Sequence, residues 1–429
     1  MQPAELLQRL IRFDTTNPPG AERECVTFLE GLLRDAGLET RLLAADDDRP
    51  NLIARLPGEG SAPPLLLQGH VDVVSTAGQD WTHPPFDGVV EDGYVWGRGA
   101  LDMKGGVAML VGALLREPKP AGDVILCVLS DEEAGGDRGA RFLVERHAEL
   151  FEGVRYAIGE FGGFSMEIAG RRFYPVQVAE KRICWMRATV RGPGGHGSLP
   201  MRGGTMARLA KALRALDRGR LPIHVTDVPR RMIEGIAAEL PRPASAPLRG
   251  LLDQRLADPM LRVLGEAGRS FEPMLRNTVN ATIVRAGDKV NVVPGEATVE
   301  LDGRVLPGFT PADMLREVRA VTGDDVEIEV SREEPTPSGE VDYGLFDLLS
   351  DVIRDRDPAG VPVPYLMPGV TDGRWFATLG IQTYGFLPMQ LPKDLRFMHL
   401  IHAADERIPV EAVEFGTGAI AAVLERYGR

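Results

Sequence analysis

The chain has 429 residues, of which 44% are apolar and 26% charged, the composition of an ordinary folded protein rather than a fibre or a disordered tail. At about 150 residues per domain it should form two or three domains with sizeable cores. Its 49 basic and 62 acidic side chains leave a net charge of −13, which repels a phosphate backbone and excludes nucleic acid as a partner.

The first segment, MQPAELLQRLIRFDTTNPPG, mixes charged and apolar residues and lacks the pattern of a secretion signal. Residues 4–37 carry apolar side chains at helical spacing (Leu6, Leu7, Leu10, Ile11, then Val26, Leu29, Leu32, Leu33), broken at the Asn17-Pro18-Pro19-Gly20 turn, and predict two helices. Short apolar runs follow at 51–56, 64–69, 123–130 and 155–159 and read as strands, with helix patterns at 105–117 and 138–150 between them. This alternation predicts an α/β sheet with covered faces. The charge-free run from Gly105 to Leu115 is about half the ~20 residues of a membrane span, so no membrane partner is expected. Cys25, Cys127 and Cys184 stand singly in apolar runs without CxxC spacing. They read as buried thiols of a cytoplasmic protein.

The pattern changes near residue 182. CWMRATVRG reads as a strand, GTMARLAKALRALD as a helix, TVNATIVRAG and ATVELDGRVL as two strands, and 311–321 and 325–331 as a helix and a strand. The order β-α-β-β-α-β is that of a ferredoxin-like α+β domain. It is interrupted at 222–275 by an insertion with the Pro-rich PRPASAPLRG and a helical stretch. The polar SREEPTPSGE at 331–340 reads as a linker. Beyond it, helical spacing at 342–356 and 410–426 flanks short strands around 381–387. The expected layout is a catalytic domain made of 1–181 and 334–429, with 182–333 inserted into it.

Several acids and histidines sit where elements end. In His70-Val71-Asp72 an extended chain puts both polar side chains on one face, so His70 could bind a metal while Asp72 holds its other ring nitrogen; alone, such a triplet can be incidental. Asp102, in the glycine-rich GRGALDMKGG, could ligate an ion or cap the helix that follows. Asp131-Glu132-Glu133 follows DVILCVLS; it is either a solvated acidic loop or a cation site at the carboxyl end of a strand. Singly, Glu160 reads as a surface acid and His402 as either ligand or structural histidine. Together the residues satisfy a count. Two zinc ions bridged by one aspartate and one water need two more protein ligands each to reach about four-coordination. His70, Glu133, Glu160 and His402 supply them, Asp102 is left as the bridge, and Glu132 as the general base.

The stretches LLLQGHVDVV, WGRGALDMKGG, LSDEEAGG, RGPGGHGSLP, NVVPGEA, GVTDGRWFATLG and HAADERIPVE resemble, in order and over nearly the whole chain, the two-zinc amidohydrolases and peptidases. That family includes acetylornithine deacetylase, succinyl-diaminopimelate desuccinylase, aminoacylase and glutamate carboxypeptidase. The resemblance implies a zinc-peptidase-like catalytic domain, a mixed sheet covered by helices, with an inserted ferredoxin-like lid and dimerisation domain. It further implies two Zn2+, one held by His70, Asp102 and Glu160, the other by Asp102, Glu133 and His402; Co2+ or Mn2+ can substitute. Asp72 would orient His70, and Glu132 would move the proton from the attacking water to the leaving amine. His196, which by spacing alone reads as a turn histidine, would reach the partner subunit's oxyanion in a homodimer. Asn291, Arg304 and Arg374 would contact substrate, either arginine being open to a structural ion pair instead. His83, His147, His224 and His399 match no ligand motif and are expected to be structural or exposed, and Lys104, in DMKGG, is expected to be structural rather than catalytic. Glutamate at position 160 tilts the expectation toward a deacylase acting on N-acyl amino acids. A metallo-carboxypeptidase or dipeptidase acting on short peptides is the alternative, and a third reading, a catalytically dead binding protein on the same fold, is disfavoured by the full set of ligands and acid/base carboxylates.

Overall fold

A computed structural model describes residues 1–116, 118–334 and 340–429. The chain forms two compact units, one of Met1–Val178, Glu340–Tyr365 and Thr371–Arg429, the other of Ala179–Gly339 with Leu366–Val370. Residues 366–370, expected in the larger unit, join the smaller one, where the Lys181 amide donates to the Met367 carbonyl (3.0 Å).

The larger unit is built on a mixed sheet. Its order is Glu39–Leu43, Asn51–Leu56, Val124–Leu129, Leu65–His70, Tyr156–Gly159, Gln382–Gly385, Arg171–Glu180, Gly360–Met367. The central strands Val124–Leu129, Leu65–His70, Tyr156–Gly159 and Gln382–Gly385 run parallel, while Asn51–Leu56 is antiparallel to both its neighbours and Arg171–Glu180 is antiparallel to Gln382–Gly385. Leu65–His70 and Val124–Leu129 are buried at every position, as strands covered on both faces must be. One face carries Lys104–Leu114, a helix buried along its whole length and packed against Pro3–Ile11 and Val410–Arg426. On the other, Leu66, Ile125, Cys127, Leu129 and Ala157 pack with Leu143, Phe151, Trp375 and Phe376. Because His70 pairs with Leu129 in parallel register, the loops leaving both strands emerge side by side at their carboxyl ends. In open α/β sheets ligands bind there.

The smaller unit has the split βαβ arrangement. Its antiparallel sheet runs Thr278–Ala286, Glu296–Val305, Arg182–Arg191, Glu327–Glu333, and Thr205–Arg218 and Pro311–Thr322 pack on one face through Leu209, Ala212, Met314 and Val318. The insertion folds as four helices, Asp227–Glu239, Arg242–Gly250, Ala257–Leu264 and Glu266–Phe271. PRPASAPLRG is therefore helical. Pro243 occupies the first turn, where a missing N–H costs nothing. Of the expected linker, 331–333 complete the last strand and 335–339 lie outside the described residues. The strands Glu39–Leu43, Arg171–Glu180 and Gly360–Met367 were not anticipated; the last two carry prolines that mask a β pattern.

Cys25, Cys127 and Cys184 are buried free thiols, and burial pushes the first up to about 11. No helix among the described residues is long and apolar enough to cross a membrane.

Candidate metal centre

Every expected ligand leaves the end of an element of the larger unit. His70 ends its strand, Glu133 lies in the turn after Val124–Leu129, Glu160 follows Tyr156–Gly159, Asp102 precedes the buried helix, and His402 comes from the C-terminal segment. The Asp102 carboxylate faces both imidazoles: Oδ1 is 3.2 Å from His70 Nε2 and Oδ2 is 3.1 Å from His402 Nε2. Glu160 Oε2 lies 3.5 Å from His70 Nε2, and Glu133 Oε1 lies 3.2 Å from His402 Nε2 without hydrogen-bonding geometry. The donor atoms of His70, Asp102 and Glu133 lie within 4.8 Å of one another, as do those of His70, Glu132 and Glu160. A carboxylate facing two imidazoles with further carboxylates beside them is a donor set of the kind that can hold divalent cations, although His402 stands outside both of these groups.

The electrostatics agree. Burial raises the Glu133 carboxyl to about 7, and burial together with the charge of Glu132 holds Glu160 well above the carboxylate range. Asp102 and Glu133 hold the His402 imidazole up, at about 10. Burial opposes protonation of His70, but Asp102, Asp72 and Glu160 outweigh it. This concentration of buried acids calls for positive charge, which protons or cations supply.

Asp72 is fully buried, and its position ties the centre together. His70 Nδ1 is 2.9 Å from the Asp72 carbonyl oxygen and 3.4 Å from its carboxylate, which leaves Nε2 to face Asp102. The Asp72 carboxylate also accepts from the Glu132 and Glu133 amides (both 3.1 Å) and from Asn17 Nδ2 (2.8 Å). It therefore orients Glu132 and Glu133 as well as the histidine. Asp131, at φ 73°, anchors the same turn by pairing with Arg49 (2.8 Å).

Glu132 is held by the same frame. Burial raises its carboxyl, with His70 and Arg374 opposing. Arg374 is itself buried: it donates to the Thr371 and Gly135 carbonyls (2.7 and 3.0 Å) and lies 3.5 Å from Glu132 Oε1. Its fork is engaged with the turn that carries Glu132. A Cβ at Gly136, where φ is +77°, would come within 2.7 Å of Asp372 Oδ1 and 3.0 Å of the Trp375 indole nitrogen. This turn therefore requires glycine.

Sequence reading missed Asp372. It is 1% exposed, and neither carboxyl oxygen meets a donor among the described residues. Burial and the charge of Glu132 hold its pKa well above the ordinary range. The folded chain thus binds a proton that the unfolded chain releases above about pH 4, so this group's stabilisation is lost as pH rises toward its folded pKa. Asp372→Asn is expected to melt higher than wild type at pH 8 and level with it at pH 4. Thermal melts at the two pH values check this; an equal offset at both would assign the effect to packing.

His196, Asn291 and Arg304 belong to the smaller unit. His196 pairs with Val292 in a two-residue ladder, and the Gly197 amide donates to the Asn291 carbonyl (2.8 Å), so His196 and Asn291 are neighbours on an exposed loop. The Ser198 amide donates to His196 Nδ1 (3.2 Å), leaving Nε2 as the protonated nitrogen. Arg304 is forked onto Asp302 (2.8 and 3.1 Å). The other histidines lie apart from the ligands: His83 pairs with Glu91, His147 with Glu149 and His224 with Glu317, and His399 is exposed. The buried Lys104 donates to the Phe13 carbonyl (2.7 Å).

Comparison with known proteins identifies the family. Residues 66–426 match the model of Peptidase family M20/M25/M40. A protein of Dictyostelium discoideum named "Probable carboxypeptidase S-like 2" is 31% identical over 82% of this chain and 69% of its own. An N-fatty-acyl-amino acid synthase/hydrolase of Xenopus tropicalis is 30% identical over 82% of this chain and 70% of its own. Succinyl-diaminopimelate desuccinylase of Paracoccus denitrificans is 28% identical over 99% and 98% of the two chains. Among solved structures, a metallo-carboxypeptidase of Sulfolobus solfataricus shares the fold, with a TM-score of 0.69 at 16% identity over 100% and 99% of the chains. With a matched family model running over most of its length, the chain belongs to Peptidase family M20/M25/M40 and is a hydrolase of amide bonds.

Proposed function

We propose that the protein is a dinuclear zinc hydrolase that removes the acyl group from N-acyl amino acids. The observation that carries this reading is the Asp102 carboxylate shared between two imidazoles, with Glu132 in the same buried cluster. His70, Asp102 and Glu160 would hold one zinc ion and Asp102, Glu133 and His402 the other. When bound, the ions lower the pKa of a water toward ~7 and polarise the scissile carbonyl; Co2+ or Mn2+ can replace them. Glu132 takes the proton of the attacking water and delivers it to the leaving nitrogen. Arg374 keeps Glu132 aimed. His196 donates its Nε2 proton to the oxyanion, Asn291 receives the carboxylate of the amino acid, and Arg304 joins it on giving up its fork with Asp302.

The desuccinylase relative, aligned along almost its whole length, and the fatty-acyl relative favour the deacylase reading. The carboxypeptidase-like relative favours the second reading, a peptidase. We place residues 182–333 as the lid and dimerisation domain of a homodimer. The strand Thr278–Ala286 supports this, since it pairs on one side only and is exposed along most of its length. The buried free thiols suit the cytoplasm. Amine release from N-acetyl, N-succinyl and long-chain N-acyl amino acids and from dipeptides, with zinc-loaded protein, tests the reading. Turnover of the acyl amino acids is expected, and preference for dipeptides would replace the deacylase with the peptidase.

A further inference from the structure

Arg98 and Glu406 form a buried ion pair that the proton-transfer chemistry does not use. Both are fully buried, with Arg98 Nη1 2.6 Å from Glu406 Oε2. The other oxygen of Glu406 accepts from the Leu101 and Asp102 amides (2.7 and 3.1 Å). The guanidinium reaches in the opposite direction, donating to the Ala403 and His402 carbonyls (both 3.2 Å) and to Gln79 Oε1 (2.8 Å). Gln79 Nε2 donates to the same His402 carbonyl (2.8 Å).

We propose that Arg98 and Glu406, with Gln79, are positioning residues for one of the two cation subsites, clamping the backbones of Asp102 and His402 so that carboxylate and imidazole meet. This rests on reading those two residues as ligands. His402 has φ 62°, a conformation that costs a residue with a Cβ and persists only where its surroundings impose it. The hydrogen bonds on its carbonyl impose it here. Replacing a buried ion pair by apolar side chains is often neutral for stability, so folding alone does not account for an Arg–Glu pair at this place. The clamp joins segments about 300 residues apart in the chain and touches neither His70 nor Glu160. Asp102 serves both ions but His402 only one, so the larger effect should fall on the ion held by Asp102, Glu133 and His402.

The test is metal binding. Full-length protein stripped of metal is titrated with Co2+ while its visible absorption is followed, and zinc retained in a chelator buffer is measured separately. Wild type is expected to bind two ions. Glu406→Gln retains an oxygen for the Leu101 and Asp102 amides but loses the charge facing Arg98. It is expected to keep one ion and to bind the other 10–100-fold more weakly. Gln79→Ala leaves the ion pair intact and should weaken the same ion by less. Two ions at wild-type affinity in both variants would overturn the proposal, as would equal weakening of both ions. If circular dichroism shows Glu406→Gln unfolded, Gln79→Ala decides alone. Failure of the wild type to bind two ions would remove the metal reading itself, and this proposal with it, and is recognised because it precedes any substitution.

Discussion

Glu132→Gln is expected to lower kcat by about 100- to 10,000-fold, the range that general acid–base catalysis contributes, while fold and metal content stay at wild-type values. The amide fills the same volume beside Arg374 but cannot accept the proton of the attacking water. Its backbone amide still donates to Asp72, so the turn that carries Glu133 is retained. The position suits a base: burial lifts the carboxyl toward working pH, and His70 and Arg374 keep it from rising further. Steady-state kinetics on the best substrate, with metal content measured on the same samples, decides the matter. Near-wild-type turnover would remove Glu132 from the mechanism, and loss of metal would make it a ligand.

His196→Ala should lower kcat by about 100- to 1,000-fold, the cost of deleting one oxyanion donor, with little change in KM, because the charge it meets exists only in the transition state. The Ser198 amide on Nδ1 keeps the other ring nitrogen protonated and available to donate. Whether the donor serves its own subunit or the partner's is open to a mixing experiment. If His196 acts across a homodimer, co-expressed His196→Ala and Glu132→Gln chains should recover activity that neither has alone, since one site of the mixed dimer would hold both native residues. Unchanged kcat in His196→Ala would return the residue to a turn role. A deficit without recovery on mixing would keep it within one subunit.

Wherever one element contains its own signal, the sequence was enough. The buried strands Leu65–His70 and Val124–Leu129 are unbroken apolar runs, and the acids and histidine at their ends mark the carboxyl edge of a parallel sheet. The βαββαβ order of the smaller unit was legible for the same reason, with period and turn residues changing together. The family motifs, quoted in order, carried the ligand assignments that spacing alone left open. PRPASAPLRG was given no element in the sequence reading; it folds as a helix with Pro243 in its first turn and Pro247 inside it. RRFYPVQVAE concealed a strand because a proline interrupts it and its charged residues lie at the ends.

The tertiary structure alone decided which remote residues hold the candidate ligands in place. Asn17 meets Asp72, Arg49 meets Asp131, Arg374 meets Glu132, and Glu406 meets Asp102, across separations of 55 to 304 residues. Periodicity reports how each segment turns its apolar face and says nothing about which distant carbonyl a buried arginine will find. Asp372 shows the same limit: in sequence it is an acid in a loop, and only burial without a donor makes it a proton-holding group. The types of residue and their order along the chain determined what chemistry this protein can host. Folding determined where those residues meet, because hydrogen bonds and ion pairs between remote segments form only once the sheet has brought its strand ends together.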